Sequence, residues 1–179
     1  MEIFACDFSP RAVEFVKSHE LYGTKKIKAF QADVVSDDLL NGTGGVPVDL
    51  VTMVFVLSAI HPDKFKTVIE NVYRVLTPGG LVLFRDYGIH DMAQIRFKPG
   101  HKISENLYMR QDGTRSYFFS LELLNNLFKE CGFEVVTSSY IESRTVNKKE
   151  GIDVPRVFIQ GKFKKLVSTF VNFLIFGGG

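Results

Sequence analysis

Apolar residues recur along this chain with two different periods, and their alternation predicts an α/β fold. Val48 to Leu57 is apolar except for Asp49 and Thr52, the pattern of a strand covered on both faces. Behind it, Phe65, Val68, Ile69, Val72, Val75 and Leu76 recur at steps of three and four. That spacing predicts a helix opened by Pro62 and Asp63, with one buried stripe. Thr77-Pro78-Gly79-Gly80 ends it, because Pro78 cannot continue a helix and glycine tolerates the positive φ of a tight turn. The chain then re-enters a strand as Leu81-Val82-Leu83-Phe84. Two strands joined through a helix in this way pair in parallel with a right-handed crossover.

The same periods organise the rest of the chain. Ile3 to Cys6 predicts a short strand, followed by a helix that Ser9 caps and Pro10 opens, with Val13 and Val16 inward. Ile27 to Ala32 predicts another strand, and Asp37 to Leu40 a short helix. Gln111-Asp112-Gly113-Thr114 reads as the turn of a β-hairpin. Ser120 caps a helix whose inner stripe is Leu123, Leu124, Leu127 and Phe128, and Gly132 ends it. Phe133 to Ile141 and Val154 to Phe163 are β-rich runs joined by a charged turn around Lys148 to Gly151, with Pro155 at the start of the second. Residues 166–179, LVSTFVNFLIFGGG, are too short to span a bilayer and strongly β-prone.

Composition narrows the function classes. A chain of 179 residues with 45% apolar content and no low-complexity tract is long enough for one domain with a real core. The net charge of +2 hides an asymmetry: residues 1–84 carry eight Lys/Arg against ten Asp/Glu, and residues 85–179 carry fourteen against ten. A polyanion would therefore bind the second half, although solvated surface lysines explain the same excess. Cys6 and Cys131 lie beside apolar residues without metal-ligand spacing, which predicts buried thiols, no metal and a reducing cytoplasmic or nuclear compartment. No run reaches the roughly 18 apolar residues of a membrane span, and no membrane partner is expected.

Three blocks are more specific than any of these patterns: FVLSAIHPDK, LFRDYG and YMRQDGTRSYFF. With the L-x-P-G-G turn from Leu76 to Gly80, they resemble the class I S-adenosylmethionine (SAM) dependent methyltransferases. More narrowly, they resemble the methyltransferase-like tRNA N3-methylcytidine methyltransferases, over about Phe4 to Lys165. The resemblance implies a Rossmann-like sheet of order 3-2-1-4-5-7-6 with an antiparallel last strand. The first, central strand and the glycine-rich SAM loop of that family are not matched in this chain, which aligns from the second strand onward. The expectation is a partial domain over 1–165, with 88–119 as an RNA-recognition insertion and 166–179 as an atypical tail. The strands either side of the missing one should then pair directly or keep open edges. A fragment of this kind should bind SAM weakly and turn over little or no RNA.

The resemblance also implies site residues. Asp7, ending the family's second strand, would accept hydrogen bonds from ribose hydroxyls, and Asp33, in FQADV, from the adenine amine; either carboxylate could instead cap a turn or helix. Val54 would meet the cofactor through its backbone. N3 of neutral cytosine carries an in-plane lone pair, so methylation there needs alignment more than a base, and the target must be unpaired or flipped. Asp86 would accept from the exocyclic N4 amine and Tyr87 would stack; alternatively, Asp86 pairs with Arg85 or Arg110. Arg85, Arg96, Lys98, Arg110 and Arg115 would hold RNA phosphates, among Phe97, Tyr108, Tyr117, Phe118 and Phe119, which would stack on bases or pack on the sheet. His61 and His90 are read as structural, and FVLSAI, lacking an Asn/Asp-Pro-Pro-aromatic motif, argues against adenine N6 as target. The implied partners are a tRNA anticodon stem-loop and a protein of the aminoacyl-tRNA synthetase type. Two other classes stay open: a non-catalytic RNA- or partner-binding form, and a small-molecule methyltransferase.

Overall fold

The computed structural model describes residues 2–23, 26–147 and 151–167; the charged turn at Lys148 to Glu150 and the tail from residue 168 lie outside the described residues. Two parallel strands, β1 (Ile3–Asp7) and β2 (Ile27–Gln31), open the fold in the register Ile3 to Ile27. Between them runs α1 (Pro10–Ser18), where the Ser9 hydroxyl accepts from the Ala12 N–H. Val13 is buried, but Val16 is 37% exposed, so only part of the expected inner stripe is covered. After β2, α2 (Leu39–Gly42) is capped by Asp38, and the Asn71 side-chain amide donates to the Val34 and Val35 carbonyls to tie this loop down.

The larger sheet has the order β3-β4-β9-β8, with β3 (Val48–Val54), β4 (Leu76–Tyr87), β8 (Phe133–Asn147) and β9 (Ile152–Lys165). Only the β3–β4 pair is parallel; β9 runs antiparallel to both neighbours. In the family's order these strands are 4-5-7-6, and β2-β1 are 3-2. Among the described residues β1 and β3 share no ladder, so each keeps one open edge, the second of the two outcomes expected. A small sheet of β5 (Lys102–Ser104), β6 (Leu107–Met109) and β7 (Arg115–Tyr117) holds the hairpin, which turns where the sequence predicts.

The core lies on one face of the larger sheet. The helix α3 (Phe65–Val75) buries Phe65, Val68, Ile69, Val72 and Val75 of the expected stripe in one core with Met53, Val82 and Phe84, while Leu76, its last expected member, is buried as the first residue of β4. On the same face, α5 (Leu121–Glu130) buries Leu124 and Phe128, and the Phe128 ring stacks on Phe163 at 3.7 Å. Full burial of each such side chain contributes about 1.5–3 kcal/mol. Leu123, expected inward, is 38% exposed. The opposite face leaves Leu50, Val54 and Leu83 exposed, so β3 is covered on one side and not on both.

The irregular first turn of β4, where its register with β3 shifts, shows why its sequence is Pro-Gly-Gly. Gly79 has φ +79°, and a Cβ on Gly80 would lie 2.9 Å from the Thr77 carbonyl oxygen. Sheet pairing starts at Leu76, opposite Val48, five residues before the predicted strand. The Lys165 ammonium donates to the carbonyls of Tyr73 and Leu76, both at 2.7 Å, and satisfies acceptors at the end of α3. Pro155 lies inside β9 opposite Arg144, not at the strand start.

Candidate nucleic-acid and cofactor site

The parallel strands end in Asp7, Val54 and Tyr87, the carboxyl ends at which open α/β sheets bind ligands. Just past β3 the backbone turns sharply: Phe55 has φ +56°, a strained value for a residue with a large side chain, and its N–H donates to the Arg85 carbonyl. This bend sets the Phe55 ring against Tyr87, with centroids 4.9 Å apart, and against Phe158 of β9 at 5.6 Å. Three guanidinium groups surround this cluster. Arg110 lies 5.3 Å and Arg156 5.7 Å from the Tyr87 centroid, while Arg85 sits 4.7 Å from Phe158 and donates to Gln160.

Beside Tyr87 opens a cavity of about 610 Å³, a size typical of small-ligand clefts. Its wall is basic and aromatic: Arg96, Lys98, Arg110 and Arg156, with Tyr87 and Phe97. The short helix α4 (Met92–Ile95) and the hairpin build it, and Arg110 is steadied by a hydrogen bond to the Ser116 hydroxyl. Asp112 is the one carboxylate on the wall; hydrogen bonds from the Thr114 hydroxyl and backbone hold its pKa below the ordinary value. Asp112 is therefore ionised at neutral pH and offsets one of the four cations, which leaves the wall net positive.

The structure sorts the predicted residues. Tyr87, Arg96, Lys98 and Arg110 come together on the cavity, whereas Arg85 packs on Phe158 and the exposed Arg115 is outside the wall. Tyr117, Phe118 and Phe119 are buried, and Phe65 and Phe84 pack on Phe119. These three pack in the core and are not free to stack on bases. Phe97 and Tyr108 stack on each other at 4.7 Å. His61 binds its own turn through Asp63, and neither it nor His90 lines the cavity.

Asp86 is fully buried and does not line the cavity. One oxygen accepts from the Ser58 N–H at 3.0 Å and the other from the Tyr87 N–H at 2.9 Å. Burial drives its pKa up to about 6, with the hydrogen bonds from Ser58 and Tyr87 and the Arg110 charge opposing. Neither Arg85 nor Arg110 forms the ion pair weighed as the alternative; the backbone N–H groups take both oxygens.

Of the residues expected to meet a cofactor, Asp7 accepts from the Ser9 N–H at 2.7 Å with one oxygen, and Asp33 accepts from the Val35 N–H at 2.8 Å with one oxygen. Among the described residues the second oxygen of each carboxylate has no hydrogen-bond partner. The helix caps that either might have supplied come from Ser9 and Asp38. A free carboxylate oxygen at the end of each of two adjacent parallel strands suits the hydroxyls and amine of a nucleoside.

Sequence reasoning missed Arg156 and Phe55. Arg156 stands among apolar residues of the last strand, and nothing local ties it to Tyr87; pairing of β4 with β9 does. Among the described residues there is no cluster of His, Cys, Asp and Glu able to hold a metal, and no helix is long and apolar enough to cross a membrane.

The methyltransferase-domain family profile matches residues 2–138. The chain is 57% identical over 162 residues to the Mus musculus tRNA N(3)-cytidine methyltransferase METTL6, covering 90% of this chain and 57% of that protein. It is 42% identical over 165 residues to O-methyltransferase 3 of Dictyostelium discoideum, covering 90% of this chain and 38% of that protein. The chain thus spans about half or less of the length of these relatives. In fold it matches a SAM-dependent methyltransferase of Anabaena variabilis with a TM-score of 0.69 at 15% identity, over 92% of this chain and 68% of that one. With its Rossmann-like sheet and antiparallel last strand, the chain belongs to the methyltransferase-domain family.

Proposed function

We propose that this domain binds SAM and RNA and serves the methylation of N3 of an unpaired cytidine in a tRNA anticodon loop. The observation that carries this reading is the basic, aromatic cavity at the carboxyl end of β4, in a fold whose β1 ends in Asp7 and whose β2 is followed by Asp33. Tyr87 offers one face of the base a stacking surface, with Arg110 and Arg156 above its ring. Arg96 and Lys98 take the flanking phosphates, and Arg85 and Arg115 extend the positive field beyond the cavity. Asp7 and Asp33 hold the ribose and adenine of the cofactor through their free oxygens, next to the backbone of Val54.

Bound SAM supplies an electrophilic methyl group. The protein's task is to present the N3 lone pair in line with it, which needs no general base because N3 of neutral cytosine is already unprotonated. The methylated base is cationic, and the Tyr87 face favours a cation over a neutral ring. Asp86 acts from behind: its carboxylate fixes the Ser58 and Tyr87 backbone and so the stacking ring. A role for Asp86 as direct acceptor from N4 would require the fully buried carboxylate to become accessible from the cavity.

An O-methyltransferase is a second reading, suggested by the Dictyostelium relative's name, and the small-molecule acceptor left open by the sequence would suit it. Four cations on one cavity wall favour a polyanionic substrate over such a compound. Binding measurements on anticodon stem-loop RNA test the proposal. The chain should bind a stem-loop with unpaired loop cytidines in preference to a fully paired duplex, and any methyl label transferred should be recovered as 3-methylcytidine. Equal affinity for the duplex, or label on another nucleoside or a small alcohol, would contradict it.

A further inference from the structure

A second buried acid grips a residue of the cavity wall and has no part in the proposed chemistry. Asp91 is 0% exposed and lies four residues beyond Tyr87, at the start of α4. One oxygen accepts from the Ala93 N–H at 2.8 Å, capping that helix. The other accepts from the Val157 N–H at 2.6 Å. Both accept from Nε of Arg156, at 3.1 and 2.9 Å. This carboxylate is thus saturated by three donors from two segments that lie 65 residues apart.

The consequence falls on Arg156. Its guanidinium is gripped at Nε, the inner edge, and among the described residues its two terminal nitrogens make no hydrogen bond. They belong to a side chain that lines the cavity, and its guanidinium carbon lies 5.7 Å from the Tyr87 ring centroid and 5.1 Å from that of Phe158. Arg110 approaches the same Tyr87 ring at 5.3 Å, so two like charges gather around one aromatic ring. Without a fixed counter-charge, repulsion from Arg110 and the freedom of a long side chain would both draw Arg156 away. A buried, fully hydrogen-bonded carboxylate cancels that repulsion and holds the fork in one orientation at no further entropic cost when a ligand arrives.

We infer that Asp91 is a positioning residue: it locks Arg156 over Tyr87 so that the terminal guanidinium nitrogens are presented, pre-aligned, to an unpaired base or its phosphate. The inference rests on the RNA reading given above, and it adds a residue that touches no substrate.

The test compares two stem-loop RNAs, one with an unpaired loop cytosine and one with that nucleotide abasic, bound to the intact 179-residue chain and to its variants. The wild type should favour the cytosine-bearing loop. Asp91→Asn should lose about tenfold or more of this preference, because one amide cannot replace two acceptors for a charged fork. Arg156→Ala should lose the same factor, and the double variant no more than Arg156→Ala alone. Arg156→Lys keeps the charge but offers no Nε–H; it should behave like Arg156→Ala, and it serves if Asp91→Asn does not fold. An Asp91→Asn or Arg156→Lys protein that melts lower yet keeps the full preference for the cytosine loop would overturn the inference, leaving Asp91 a helix cap only. A wild type that binds neither RNA would instead contradict the RNA reading, and the role of Asp91 falls with it.

Discussion

Asp86 accepts a hydrogen bond from the Ser58 backbone N–H at 3.0 Å, and this contact ties the end of β4 to the turn that follows β3. The carboxylate is wholly enclosed. Burial raises its pKa from 3.8 to about 6. Because the folded value exceeds the unfolded one, the folded chain binds more protons between the two, and stability falls as pH rises from about 4 to about 6. The ionised carboxylate costs the fold on the order of 3 kcal/mol at neutral pH relative to the acid form. A carbon-13 titration of the Asp86 carboxyl should show a midpoint near 6; a midpoint below 4 would remove this account.

Phe55 holds a positive φ that only glycine adopts without strain. Phe55→Ala should lose the ring contacts with Tyr87 and Phe158 and keep the strain. Phe55→Gly loses the same contacts and relieves it, so it should be the more stable of the two by roughly 1 kcal/mol. Urea unfolding of both variants decides this; a more stable Ala variant would mean that the bend is not intrinsic to this position.

Asp7 uses one oxygen for the Ser9 N–H and keeps the other free. Asp7→Asn preserves an acceptor for Ser9 but replaces the free acceptor with a donor. SAM affinity measured by calorimetry should fall about ten- to hundredfold with the melting temperature unchanged. A lowered melting temperature with unchanged SAM affinity would make Asp7 a turn residue alone.

Arg110 lines the cavity and Arg115 does not. Each should reduce the salt slope of RNA binding by about one when changed to Ala, since each neutralises phosphate at most once. Arg110→Ala should lose more affinity than Arg115→Ala, because it also removes a guanidinium from the Tyr87 face. Equal losses would place RNA on the outer hairpin surface and not in the cavity.

Local periodicity made much of this fold legible. The α3 stripe from Phe65 to Val75 is a three-and-four repeat, and every member is buried. Gly79 and Gly80 announced a turn that the φ of one and the close carbonyl contact of the other require. Tyr87, Arg96, Lys98 and Arg110 were legible because the basic stretch and the end of β4 are close in sequence as well as in space. Arg156 and Asp91 were not, since their meeting depends on the antiparallel pairing of β4 with β9 and no local pattern encodes it. The bend at Phe55 was hidden because its residue type argues against positive φ. Asp86 was legible as important but misplaced: the sequence cannot tell that Ser58 and Tyr87 turn the carboxylate inward. Val54 and Leu50 were read as covered because an apolar run looks the same whether one face or two are packed.

The central claim is that the cavity beside Tyr87 receives an unpaired base of RNA. Ultraviolet crosslinking of the chain to an anticodon stem-loop, followed by mass spectrometry of the joined peptides, tests it most directly. The account predicts crosslinks from a loop nucleotide to Tyr87 or to the cavity wall between Arg96 and Ser116, diminished in Tyr87→Ala and absent with paired duplex. Crosslinks confined to the outer arm of β8 and β9, unaffected by Tyr87→Ala, would contradict it.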